Sequence, residues 1–270
     1  MGKAMRITLA LALGALLAAG ITFCCTDRAT APGSAPSSAV TGSAPSSAVT
    51  GSVPGSAVPG SAASSTATTG PAVTIPLPVP RTTGPLSLEE AIQARRSVRE
   101  YSTEPLTIPE LAQLLWAAQG ITSPSGGRAA PSAGGTYPLE LYVVAASVTG
   151  LETGVYRYQA AGHALVTLAL GDQRAALAEA SLGQEWVANA PVDVVVAAIY
   201  ERTTQKYGER GVRYVHLEAG HAAQNLCLQA TALGLGAVTV GAFSDDQVAR
   251  LLSLASNETP LYVIPVGHRR

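Results

Sequence analysis

The stretch EEAIQARRSVREY (residues 89–101) sets three arginines and a serine within five positions, Arg95, Arg96, Ser97 and Arg99, just after a short apolar-periodic segment. Ser87 followed by Glu90 makes a capping box, so a helix is expected from about Leu88 to about Arg95, with the arginines at its end. Guanidinium groups are planar donors that suit a dianionic phosphate, and a serine hydroxyl completes such a cage. Basic residues at a helix C-terminus also simply complement its dipole. The cluster alone leaves both readings open.

Upstream, residues 1–25 have the pattern of an export signal, with basic Lys3 and Arg6 and then an uncharged apolar run over residues 7–23 that ends at Cys24 and Cys25. The run falls short of the roughly 20 apolar residues of a spanning helix. Phe23 stands where a lipid-accepting cysteine wants a small neighbour. The expectation is an exported protein of the periplasm or cell envelope, with a lipidated Cys24 or an uncleaved signal anchor as alternatives. Any membrane association would run through this segment. Residues 26–85 form a Ser/Ala/Pro/Gly linker that repeats a nine-residue unit, GSAPSSAVT at 33–41 and again at 42–50, with looser copies after it. It has no large apolar groups to offset the entropy of ordering and reads as a disordered tether.

The folded domain is then expected over residues 86–270. It carries 13 Lys and Arg against 17 Asp and Glu, a net charge of −4, which argues against nucleic acid as a partner. Cys227 is its single cysteine, a small hydrophobe in an apolar helix rather than part of a disulfide framework. Thr107 and Glu110 cap a second helix that should stop near Gly120. Residues 121–138 (ITSPSGGRAAPSAGGTYP) are loop-like and long for a compact domain, which points to a functional role. Strands are expected at 139–145, 155–158, 164–168, 192–200, 237–240 and 261–266. Helices are expected from Asp172 to Leu182, over 214–233, and from Ser244 to about Leu254. Residues 201–213 read as a polar segment. The order lacks a regular strand–helix–strand alternation, so the fold class is α+β.

Several motifs, in this order, resemble those of the nitroreductase superfamily, and within it the SagB-type dehydrogenases that oxidise azolines in peptides. They are RRSVREY at 95–101, APSAGGTYPLELYVV at 130–144, KYGERGVRY at 206–214, EAGHAAQNLCLQATALGLGAV at 218–238, GAF at 241–243 and PVG at 265–267. The resemblance implies a mixed sheet flanked by helices, one FMN per site, and a homodimer with its sites at the interface. It assigns Arg95, Ser97 and Arg99 to the FMN phosphate and ribityl chain. Pro131, Ser132, Ala133 and Gly134 would lie along the flavin ring, from the partner subunit. Val240 and Gly241 would place a backbone N–H near flavin N5, and Arg269 or Arg270 would add a basic group for the phosphate.

Lys206 and Tyr207 match the family's Lys-Tyr pair, implicated in taking the substrate proton. The chain has 15 arginines and two lysines, and Lys3 lies in the signal. Lysine can lose its proton in a desolvated site, whereas arginine effectively cannot. No metal site is indicated: His216 and His221 are five apart rather than four, and no acidic partner is placed for them. They read as structural, Glu218 and Gln224 as helix or interface hydrogen-bonders, and Trp116 and Trp186 as core. The function expected is hydride transfer to or from FMN, possible on a small-molecule or peptide azoline. NAD(P)H-dependent nitro- or quinone-reduction is the alternative, and a non-catalytic, surface-tethered flavin- or ligand-binding module is the alternative from another class.

Overall fold

The computed structural model describes residues 73–270. The expected export signal and most of the expected linker lie outside the described residues. The fold begins at Val73 rather than at Leu86. Strand β1 (Thr74–Pro76) lies inside the stretch read as linker and pairs antiparallel with β6 (Ala164–Leu170). Leu77 is buried. Arg81 is held at both backbone groups by the Gln113 side chain, which accepts from Arg81 N at 2.8 Å and donates to Arg81 O at 3.0 Å. A buried amide that answers both groups fixes a segment that composition alone reads as free.

Both capping boxes form. Helix α1 spans Leu88–Ala94 behind Ser87, and α2 spans Ile108–Gln119 behind Thr107, ending at Gly120. Strand β2 (Leu106–Thr107) pairs parallel with β4 (Val148–Thr149). The main sheet holds seven strands in the order β1-β6-β5-β3-β7-β9-β8. Here β3 is Leu139–Ala145, β5 Gly154–Gln159, β7 Val192–Ala198, β8 Leu235–Ala237 and β9 Thr259–His268. All its strand pairs are antiparallel. The parallel component is confined to β2–β4 and to a bridge between Ser97 and Ala237.

Alternation along the strands builds two cores, because successive side chains point to opposite faces. On β7, Val192, Val194, Val196 and Ala198 join Leu141 and Val143 of β3 under α2 and the long helix α6 (Arg210–Ala232). Val195 and Ala197 join Tyr142 and Val144 on the other face. That face is covered by α3 (Arg174–Ala180), α4 (Glu185–Asn189) and α7 (Asp245–Leu251).

Three local readings are corrected. Residues 201–213 are helical, with α5 (Glu201–Tyr207) turning through Gly208 into α6. The strand expected at 237–240 lies earlier, at β8, and Val240 makes only an isolated bridge to Val263. Asp172 precedes α3 rather than capping a helix to Leu182: its carboxylate accepts from Arg174 N at 3.0 Å, and a separate short helix, α4, follows.

The arginine stretch runs along the outer edge of β8. Val98 N donates to Ala237 O at 3.0 Å, and Val98 packs on Gly236, where an added Cβ would lie 2.5 Å from Val98 Cγ1. Gly236→Ala should therefore push the stretch off the sheet and cost about 1–3 kcal/mol of stability, measured as a lower urea midpoint with an unchanged m-value.

Candidate functional site

The arginine stretch contributes one wall of a cleft of about 1120 Å³. Arg99, Tyr101, Arg174, Trp186, Asn189 and Arg270 line it. Arg99 lies over the Trp186 ring, 5.3 Å from its centroid. Of the three arginines that line the cleft, Arg174 is paired with Asp172 at 2.7 Å, and Arg99 and Arg270 make no salt bridge to a described residue. The Trp186 indole N–H is buried in the wall with no partner. Gln184 Nε2 donates to Ala242 O at 2.8 Å, tying the start of α4 to the turn at residues 241–243. Trp186 and Phe243 pack on the core that contains Val240.

The other expected cofactor residues fall around this edge without lining the cleft. Arg95 sits toward α6, near enough to draw down the Cys227 thiol, whose pKa burial nevertheless raises. Ser97 is exposed and bridges Ala237. Arg269 turns back, its Nε donating to Leu235 O at 3.0 Å. Arg270, not Arg269, faces the cleft. Trp186, read as core from sequence, is a wall of it.

The second group of expected residues gathers elsewhere. Ala133–Gly135 form a single 3-10 turn, with Gly134 at φ +62°. Lys206 Nζ donates to Gly134 O at 3.3 Å. An added Cβ on Gly134 would lie 2.5 Å from the Tyr207 hydroxyl and 2.6 Å from Lys206 Nζ. Lys206 is thus brought onto the loop at 131–134, as Tyr207 is, but it is exposed. Gly208, at φ +57°, ends α5 just behind the pair, and Tyr207 meets Tyr214 edge-on at 5.2 Å. Among the described residues, no hydrogen bond joins this group to the arginine edge. The single chain thus carries the expected residues in two separate groups.

His216 is structural: Tyr200 Oη and His216 Nε2 lie 2.6 Å apart. Two buried acids with an unpartnered oxygen escaped the sequence reading. Glu218 was read only as a helix or interface hydrogen-bonder. It is buried on α6 behind Ser132, and burial raises its pKa to about 7 against the pull of Ser132, Arg128 and Gln119. Asp193 is fully buried on β7 with neither oxygen partnered, and burial drives its pKa well above the carboxylate range, against Arg174. The signal for Asp193 was available: it is the one charge inside VDVVVAA.

The nitroreductase family model matches residues 92–268. This chain belongs to the nitroreductase family. Members of the family are in general flavin-dependent oxidoreductases. A protein of Methanocaldococcus jannaschii that carries the nitroreductase name is 48% identical over 184 residues, covering 68% of this chain and 92% of that protein. The microcin B17-processing protein McbC of Escherichia coli is 29% identical over 157 residues, covering 55% of this chain and 57% of that protein. Among solved structures, a nitroreductase-named protein of Ralstonia eutropha has a TM-score of 0.64 and 33% identity, covering 73% of this chain and 90% of its own. A chain of the E. coli microcin synthetase McbBCD complex with truncated pro-MccB17 bound has a TM-score of 0.58 and 25% identity, covering 72% of this chain and 77% of its own. The α+β expectation, a sheet flanked by helices, is borne out.

Two outcomes follow from the geometry. Gly134→Ala places a Cβ in a left-handed backbone, at about 1–2 kcal/mol, and displaces Lys206 and Tyr207. A lower denaturation midpoint, with Gly135→Ala as the comparison, measures it. Asp193 binds its proton more tightly folded than unfolded, so stability is fully present below about pH 4 and is lost as pH rises. Asp193→Asn should reduce that dependence, leaving the part that belongs to Glu218, and be more stable than wild type at pH 8 by about 1–3 kcal/mol, read from urea midpoints across pH 4–8.

Proposed function

We propose that this protein is an FMN-dependent oxidoreductase that dehydrogenates an azoline-type heterocycle, free or within a peptide, and that two copies complete each site. The observation that carries the reading is the convergence of Lys206 Nζ and the Tyr207 hydroxyl on Gly134. A lysine amine beside a phenol can take and pass a proton, and the Gly134 carbonyl holds the amine in place. The exposure of Lys206 leaves its desolvation to a second surface. Large apolar side chains stand exposed on α1 (Leu88, Ile92) and α6 (Val212, Leu217), which supports a second copy as that surface.

FMN fits the arginine-lined cleft by the chemistry of its donors. Arg99 and Arg270 would hold the phosphate, and the unpartnered Trp186 N–H offers one more donor. Gly241 stands beside the same wall through the Gln184–Ala242 bond and has no side chain to keep a ring away. When bound, FMN supplies two-electron transfer, with hydride moving to or from the substrate. The likeness to McbC and to the McbBCD complex with truncated pro-MccB17 supports a peptide substrate. The name of the M. jannaschii relative favours a second reading, NAD(P)H-dependent reduction of nitro or quinone compounds. We place the protein, from residues 1–25, in the cell envelope.

The purified protein should be yellow and release a compound of FMN mass. Arg99→Ala should weaken FMN retention at least about tenfold, the scale of one charge-assisted bond, measured by fluorescence titration. Lys206→Ala should keep the flavin spectrum and lose about 10²–10⁴-fold in kcat for azoline oxidation. Rapid anaerobic bleaching by NAD(P)H, with Lys206→Ala unaffected, would establish the reductase reading instead. A protein that stays colourless with added FMN would overturn both.

A further inference from the structure

The loop that carries Gly134 rests on an acid for which the proposed reaction has no use. Glu218 is 2% exposed. It is faced by Gln119 at the end of α2 and by Ser132 and Arg128 of the loop. On α6 itself, Tyr214 lies one turn back and His221 one turn on. Oε1 of Glu218 and Nε2 of Gln119 are both buried without a full hydrogen bond, although the two side chains approach each other.

Arg128 does not supply the missing partner. Its NH1 donates to Gln119 Oε1 at 2.9 Å and Leu139 O at 3.4 Å, and its guanidinium lies 4.8 Å over the Tyr137 ring. Behind it stand Glu140 and Arg202. A carboxylate placed here would be buried with its nearest cation committed elsewhere, which is costly, whereas a carboxylic acid is tolerated.

Ser132 links this acid to the site. Its Oγ accepts from Tyr137 N at 2.9 Å and its carbonyl accepts from Gly135 N at 3.1 Å. The serine therefore frames the turn in which Gly134 meets Lys206 and Tyr207. Asn225 Nδ2 adds a bond from α6 to Ala129 O at 3.3 Å.

We propose that Glu218 is a positioning residue: protonated, it allows residues 128–137 to pack closed on α6, a latch made by burial that sets where Gly134 meets Lys206 and Tyr207, and ionised, it loosens that latch. The direction follows from linkage. In the closed loop the buried carboxyl keeps its proton up to about pH 7, against an ordinary value of 4.5. Opening lets water reach it and returns it toward that value. Between the two, each pH unit favours opening by up to about tenfold, and above pH 7 there is no further change. Only the kinetic consequence rests on the reading of Lys206 and Tyr207 as reacting groups.

Hydrogen–deuterium exchange of the full-length protein from pH 5 to pH 8, corrected for intrinsic rates, tests this. In wild type the amides of Gly135 and Tyr137 should lose protection as pH rises to 7 and then level off. Glu218→Gln, which keeps the shape without the titration, should hold pH 5 protection throughout and lose any inflection near pH 7 in kcat. Asp193 titrates in the same direction but on the other face of the sheet, so loop amides rather than global stability decide. A wild-type profile that is flat, or a Glu218→Gln profile that matches a sloping wild type, overturns the proposal. PH-dependent protection without turnover of any azoline would sink the proposed reaction and leave the latch standing.

Discussion

Burial of β7 on both faces is the constraint on which the rest of the structure depends. Each apolar side chain from Val192 to Ala198 is fully buried, so helices must cover the sheet on both sides. A strand in that position cannot present polar groups to a ligand, and burial pushes the pKa of Asp193, the exception, upward. The candidate site side chains are therefore displaced to the rims. The arginine stretch lies beside β8 at one edge, and the Lys206-Tyr207 pair lies at the end of α5, beyond the C-terminal end of β7. The long helix α6 runs between them, touching α1 and α5. The separation of the two groups is thus a consequence of covering one sheet twice.

Much of this was legible in the sequence because it rests on local rules. Both capping boxes predicted their helices because the side-chain-to-backbone bonds that define them lie within four residues. The alternation in LELYVVA and the β-branched run VDVVVAA gave β3 and β7 for the same reason. The ordered motifs singled out Lys206, Tyr207 and residues 131–134 separately; that they meet within one chain was not legible in the sequence. At Gly134, with φ at +62°, an added Cβ would meet the ends of both side chains.

What was not legible depends on distant partners. Residues 73–85 have the composition of a tether, yet Gln113, a full helix away in sequence, fixes Arg81, and β6 pairs with β1. Residues 201–213 looked like a loop because their polar residues face outward. The small buried residues Thr203 and Gly211, which carry the α5–α6 contact, give little hydrophobic signal: a Cβ on Gly211 would sit 2.9 Å from Thr204 Cα. Trp186 gave no sign of its place either, since α4 is five residues long and its partner, Arg99, comes from the opposite end of the domain.

The lysine at 206 draws these threads together. This chain otherwise meets its need for cations with arginine, and arginine suits the β8 edge, where planar donors face a cleft. At the tip of α5 the requirement is different. The amine must approach one carbonyl, Gly134 O, in a gap already shared with the Tyr207 hydroxyl. A guanidinium, larger and permanently charged, would crowd the phenol and could not give up a proton. The same gap demands glycine at 134, and the left-handed turn that glycine allows demands an anchor, which Ser132 supplies. Behind Ser132 lies α6 with the buried Glu218, whose pKa burial raises to about 7. The polar chemistry of this group therefore descends, contact by contact, from one amine set against one backbone carbonyl.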